Sequence, residues 1–418
     1  YYDYTGDERV IAFLTNYYKW LAACPDELFL KHYWDNSRGG DMMWTLAWLY
    51  NRTGDESLPG LARKIHRNTA DWTRSAQLPN WHVVNIAQGF REPAEWWMFS
   101  GDRKALHATY NVFSFIRRAF GQVPGGMYGA DENARIGFFD PRQGTETCAF
   151  VEQMLSDNIL LQVTGDPAWA ENCEDVAFNS YPAALMPDYR ALRYLTCPNH
   201  VVSDSRNHNP GIDNSGPFLA MNPFSSRCCQ HNHGLGWPAF TQSLAYATPD
   251  GGVAFPVYAP CRASLEVAGG RKVTISEDTR YPFSDTLRFT ISADSPARYP
   301  LYFRIPSWDR GAKVTAAKLD DKFNAILTLE LKARSRQISE TRTRVDRRQQ
   351  RRTHLPDGAV GTPLGREPQQ RHNRLRSAHT LTQDSRALSQ GRLQRERHRR
   401  LALDRRRRPG EMARLRNL

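Results

Sequence analysis

Two adjacent cysteines, Cys228 and Cys229, stand in the run Ser226-Arg227-Cys228-Cys229-Gln230-His231-Asn232-His233-Gly234. Eighty residues before Cys228 lies Glu146-Thr147-Cys148. Three thiols and a carboxylate are enough donors for one tetrahedral zinc site, with sulfur at about 2.3 Å and carboxylate oxygen at about 2.0–2.2 Å. A thiolate in such a site is either a structural ligand or a nucleophile. His231 and His233 are alternative ligands, and buried core cysteines are the reading without a metal. A vicinal pair makes a strained mutual disulfide. Seven scattered cysteines, an odd number, do not form a disulfide framework.

A repeat indicates what positions these residues. Tyr4-Thr5-Gly6-Asp7, Arg52-Thr53-Gly54-Asp55, Phe99-Ser100-Gly101-Asp102 and Val163-Thr164-Gly165-Asp166 resemble one another, at separations of 48, 47 and 64 residues. Glycine suits the left-handed position that ends a helix, and aspartate beside it suits the cap of the next. A period near 47 holds two helices and two connections, so each unit is predicted to be a helical hairpin. The runs at 42–50 and 93–98, with Met42-Met43 and Trp96-Trp97, are apolar on most faces and read as inner helices. A Gly/Pro-rich loop from Gln122 to Gln143 fills the longer gap, and loops of that length are usually functional. About five hairpins fit, one short of a six-hairpin toroid. With the chain entering mid-pattern at Tyr1, a missing N-terminal hairpin is expected.

After about Pro249 the texture changes to alternating runs at 252–258, 263–267, 272–275, 287–291, 301–305 and 325–331, which read as strands of an incomplete β-sandwich. The expected organisation is therefore helical at 1–248, β-sandwich at 249–331 and a tail at 332–418. That tail differs in kind. Residues 331–418 hold 25 basic and 8 acidic groups, a net of +17, whereas residues 1–330 carry a net of −5. All 47 aromatic residues precede the tail, and the last lysine is Lys332. Such a segment cannot bury enough apolar surface to offset chain entropy. Its composition is that of out-of-frame reading of a GC-rich gene, and a frameshift near 332–336 is expected. The competing reading is a nucleic-acid arm, but it offers no aromatic ring to stack on a base, so nucleic-acid binding is not expected. No apolar stretch is long enough for a membrane span.

Gln143-Gly144-Thr145-Glu146-Thr147-Cys148, the helix of Glu174 with Phe178-Asn179, and Arg227-Cys228-Cys229-Gln230-His231-Asn232 resemble glycoside hydrolase family 127, the bacterial β-L-arabinofuranosidase-like enzymes. The resemblance covers about residues 1–331 and is strongest in 120–240. It implies a mainly α fold, an (α/α)6 barrel followed by a β-sandwich, in agreement with the repeat and the strands. It implies zinc held by Glu146, Cys148, Cys228 and Cys229, with Cys228 as nucleophile. It implies Glu132 as general acid/base, 14 residues before Glu146; that spacing is slightly short for the family, and the role can slip to Asp131. Glu174 and Tyr194 match sugar-contacting positions, and His82 would line the pocket.

The implied activity is retaining exo-hydrolysis of terminal L-arabinofuranoside-like sugars from plant-type glycans. A thiolate would stand where most retaining glycosidases use a second carboxylate. The competing readings are a carboxylate-only hydrolase or lyase and a non-catalytic glycan-binding scaffold with structural zinc. Gln230-His231 replaces prolines common in the family after the cysteine pair, and the loop from Asp204 to Gly211 reads as particular to this branch of it, so the sugar stays open. Without the resemblance, Glu174 reads as a surface charge or helix partner, Tyr194 as a core phenol, His82 as a packing histidine and Asp131 as a loop cap.

Overall fold

A computed structural model describes residues 1–74, 77–121, 125–129, 131–134, 144–196, 219–220, 227–318 and 324–332, with backbone alone at 219–220, 227 and 318. They fall in one folding unit. The tail beyond Lys332, the loop 204–211 and most of the loop 122–143 lie outside the described residues.

Eleven α-helices occupy the described residues up to Thr241: α1 (Tyr2–Thr5), α2 (Arg9–Ala22), α3 (Tyr33–Arg38), α4 (Met42–Thr53), α5 (Leu58–Asn68), α6 (Val83–Gly89), α7 (Glu92–Ser100), α8 (Arg103–Phe120), α9 (Thr147–Thr164), α10 (Pro167–Asp175) and α11 (Arg227–Thr241). The pairs α4/α5, α7/α8 and α9/α10 pack against each other as hairpins, and α9 also packs on α6 and α11. The repeat forms their corners. Gly6, Gly54, Gly101 and Gly165 are all left-handed, with φ of 68°, 67°, 66° and 66°. The carboxylates of Asp7, Asp55, Asp102 and Asp166 each accept the backbone N–H two residues on, at 2.9–3.0 Å. The hydroxyl before each glycine, on Thr5, Thr53, Ser100 or Thr164, accepts the aspartate N–H at 3.1–3.3 Å. Each corner thus satisfies the orphan groups of a helix end within a few residues.

α9 is buried around most of its circumference, polar side chains included. Asp157 accepts from Gln153 at 2.9 Å and Asn172 at 2.7 Å. Burial pushes its carboxyl up to about 8. An unfolded aspartate titrates near 4, so between about pH 4 and 8 the folded chain holds a proton that the unfolded chain has released. Stability from this group therefore falls as pH rises through that window, by about 1.4 kcal/mol per pH unit. Asp157→Asn is expected to flatten the decline in unfolding temperature between pH 5 and 8; an unaltered slope would acquit Asp157.

Beyond α11 the chain turns to strands. A five-stranded antiparallel sheet has the order β11 (Lys313–Lys318), β12 (Ala325–Glu330), β9 (Thr286–Ala293), β8 (Arg271–Thr279), β7 (Cys261–Val267). A three-stranded sheet has the order β10 (Leu301–Phe303), β6 (Val253–Phe255), β5 (Tyr246–Ala247). Leu287, Phe289 and Ile291 alternate inward along β9, as period two requires. Phe289 meets Phe255 at 5.0 Å and Phe303 at 4.7 Å between ring centroids, which packs one sheet on the other as a sandwich. Four two-residue strands, β1 (Thr145–Glu146), β2 (Leu192–Arg193), β3 (Leu195–Thr196) and β4 (Leu219–Ala220), sit among the helices. No helix among the described residues is long and apolar enough to cross a membrane.

Candidate functional site

Four separate segments are woven into one seat. β1 pairs with β3 so that Glu146 faces Leu195. The Thr147 N–H and hydroxyl donate to the carbonyls of Tyr194 and Arg193 at 2.9 and 2.6 Å. The Val83 N–H donates to the Glu132 carbonyl at 2.9 Å, and the Ala134 N–H to that of Trp81 at 2.8 Å. Asp131, buried and left-handed at φ 48°, exchanges bonds with Gly144: its N–H donates to the Gly144 carbonyl and its Oδ1 accepts the Gly144 N–H at 2.7 Å. Asp131 is therefore a cap that fixes the turn, and Glu132 beside it is the half-exposed carboxylate.

The donor set comes from two helix starts. Glu146 is the N-cap residue of α9 and Cys148 lies in its first turn, while Cys228 and Cys229 lie in the first turn of α11, which packs on α9. Positive helix N-termini favour thiolates. Cys148 Sγ lies 3.5 Å from Cys229 Sγ, and Glu146 Oε1 lies 3.7 and 3.8 Å from the sulfurs of Cys228 and Cys229. A tetrahedron with the usual zinc bond lengths has edges of about 3.8 Å between sulfurs and about 3.6 Å between sulfur and oxygen. All four donor atoms lie within 4.8 Å of one another. Glu146 Oε2 is buried without a hydrogen-bond partner. The donors thus fit a zinc ion. Three of them are buried, and Cys228 alone is exposed.

The electrostatics separate the groups. Hydrogen bonds from Cys148 and Cys229 hold the Cys228 thiol well below the ordinary range. Cys148 is driven up by those it shares with Cys228 and Cys229. Cys229 is lowered by its bond with Cys148, but its bond with Cys228 and burial raise it on balance. Burial, then the Cys228 charge, pushes Glu146 up to about 8. A bound divalent cation would favour the charged form of each donor instead.

Glu132, Tyr194 and His82 gather beside this set. The Tyr194 hydroxyl donates to Glu132 Oε1 at 3.1 Å. His82 Nε2 stands 3.9 Å from Glu132 Oε1 and 3.7 Å from Glu146 Oε2. Burial lowers the His82 pKa, which favours the neutral ring. The Glu174 carboxylate is ion-paired with Arg304 and accepts from the Tyr281 hydroxyl, both on the sandwich side, so its two oxygens join the helices to the sheets. The sequence reading missed Arg304 and Tyr281, and also Trp34, whose ring packs against His82 at 5.8 Å. A tryptophan followed directly by the polar run Asp35-Asn36-Ser37-Arg38 was the available signal.

Comparison with known proteins bears on the family and the fold. The family described as β-L-arabinofuranosidase, GH127 catalytic domain, matches residues 1–242, and the GH127 middle domain matches 252–353. No curated protein matches the chain in sequence. A crystal structure of a GH127 β-L-arabinofuranosidase from Geobacillus stearothermophilus T6 superposes with a TM-score of 0.59 at 16% identity, covering 79% of this chain and 60% of that one. A structure described as a glycoside hydrolase gives 0.59 at 17%, covering 78% and 61%. The chain thus spans about three-fifths of these structures, and at such identity they show a shared fold, an α/α barrel with a sheet-rich part. Since the catalytic-domain match takes in more than half of the chain, from Tyr1 past the Cys228-Cys229 pair, the chain belongs to glycoside hydrolase family 127.

Proposed function

We propose that this chain is a retaining exo-glycosidase acting on terminal L-arabinofuranoside-like sugars of plant-type glycans. The observation that carries the reading is the donor set with three buried members and one exposed thiol, Cys228, adjoining Glu132 and His82. Glu146, Cys148, Cys228 and Cys229 would hold zinc. Bound zinc would keep Cys228 deprotonated at neutral pH.

Cys228 attacks the anomeric carbon. The carbon–sulfur bond forms as the glycosidic carbon–oxygen bond breaks, and Glu132 gives its proton to the leaving oxygen. Glu132 then takes a proton from water, whose oxygen displaces the cysteine, so two inversions retain configuration. Tyr194 fixes the Glu132 carboxylate by its hydrogen bond. Neutral His82 offers a hydrogen bond to substrate without adding charge.

Metal analysis and product stereochemistry test the reading. One zinc per wild-type chain is expected, with loss of metal when Cys148 and Cys229 are both replaced by serine. NMR of the first product formed from an aryl β-L-arabinofuranoside should show the β-anomer. Glu132→Gln should lower kcat/KM by about 10²–10⁴-fold on a sugar leaving group that needs protonation. An inverted product would exclude the thiolate route, and metal-bound wild type without turnover on any pentoside would favour a glycan-binding scaffold.

A further inference from the structure

Beside the reacting groups stands an aromatic pair for which the steps above have no use. Tyr33 and Trp34 begin α3 and are 57% and 52% exposed, with ring centroids 4.9 Å apart at 78°. Single exposed aromatics are common, but these two are anchored from beneath by a buried polar network. Asn80 Nδ2 donates to the Tyr33 hydroxyl at 3.0 Å. Asn85 Nδ2 donates to Asn80 Oδ1 at 3.1 Å, and Arg38 Nε donates to Asn85 Oδ1 at 2.8 Å. The Arg38 guanidinium then lies over the Trp34 ring, 4.7 Å from its centroid. The contacts close on themselves, and both asparagines are buried.

That circuit is tied to the catalytic groups. Asn80 Oδ1 also accepts the His82 backbone N–H at 3.0 Å, and Trp34 meets the His82 ring edge to face at 85°. One asparagine therefore sets the position of both the aromatic pair and the histidine. Rings fixed before a ligand arrives bind it with little ordering cost. A flat apolar surface beside guanidinium donors suits a sugar, whose CH-rich face wants the ring and whose hydroxyls want the polar groups.

We propose that Tyr33 and Trp34 form a stacking subsite for the neutral sugar unit on the leaving-group side of the bond being cleaved. This rests on the glycosidase reading. In that reading Glu132 protonates the leaving oxygen; His82 is 3.9 Å from Glu132 and 3.7 Å from Glu146, and Trp34 abuts His82, so the pair adjoins the acid at the rim of the site.

The test compares a β-L-arabinofuranosyl disaccharide with methyl β-L-arabinofuranoside, using the full chain. In Trp34→Ala the ratio of kcat/KM for the disaccharide to that for the methyl glycoside is expected to fall about tenfold. Trp34→Leu keeps bulk against His82 but no flat face; it should show the same fall and is the variant to read if the alanine chain misfolds. An unchanged ratio, whether both activities drop together or neither drops, overturns the subsite. If wild type hydrolyses neither sugar, the glycosidase reading fails by itself and calorimetric titration with the disaccharide decides this one. Binding weakened about tenfold by the Trp34 substitution upholds stacking. Equal affinity in the two chains, or no binding to wild type, sinks it.

Discussion

Cys228→Ala is expected to lower kcat/KM on an aryl β-L-arabinofuranoside by on the order of 10⁴-fold or more, since removing a covalent nucleophile leaves only binding and acid catalysis. The size of the effect follows from exposure. Glu146, Cys148 and Cys229 are buried and have no route to a sugar, whereas Cys228 is exposed in the first turn of α11. The remaining three donors can still hold a metal, so zinc content separates chemistry from assembly. Metal retained with activity lost marks Cys228 as the nucleophile. Activity surviving within about tenfold would return the reaction to a pair of carboxylates, as in most retaining enzymes.

Arg91→Leu should destabilise the chain by about 3–5 kcal/mol, the loss typical when one member of a buried ion pair is removed. Arg91 is almost fully buried. It donates to Glu95 at 3.2 Å, to Asp41 at 3.0 Å and to the Ser156 hydroxyl at 2.7 Å, so it joins the start of α7 to the end of the segment before α4 and to the middle of α9. Burial already pushes Glu95 up to about 8 against the lowering charge of Arg91, and without Arg91 the carboxyl shifts further towards its protonated form. Adding Glu95→Leu to the variant is expected to recover much of the loss, because an apolar pair can replace a buried ionic one. Thermal unfolding of the three chains measures this. An Arg91→Leu midpoint equal to wild type would mean that the network contributes nothing net.

What the sequence made legible was local, or was carried by residues whose types are rare together. The hairpin corners were readable because glycine and aspartate perform their tasks within a few residues; the hydroxyl before each glycine completes the same device and was overlooked. The cluster of Glu146 with Cys148, Cys228 and Cys229 was readable because a vicinal cysteine pair is uncommon; a Glu-x-Cys alone occurs by chance in many chains. The ties of Glu174 to the sandwich were not readable because its partners, Tyr281 and Arg304, lie 107 and 130 residues further on, and no spacing rule connects them. Strand β11 was missed because it lies at the edge of its sheet and its side chains at 313–317 are all exposed, so it shows little apolar alternation. His82 was weakly marked in sequence, yet its ring faces both Glu132 and Glu146, since the Val83 N–H is bonded to the Glu132 carbonyl.

The corners of the hairpins also bear on the order in which the molecule assembles. Every bond of a Thr/Ser-Gly-Asp corner closes a loop of a few residues, so little chain entropy opposes it before any hairpin has docked. The metal-binding donors are of the opposite kind: Cys148 and Cys229 are 81 residues apart and meet only when α9 and α11 have packed. Corners are therefore expected early in folding and the donor set late. Substitutions at the corners should slow folding, whereas loss of a zinc ligand should chiefly hasten unfolding.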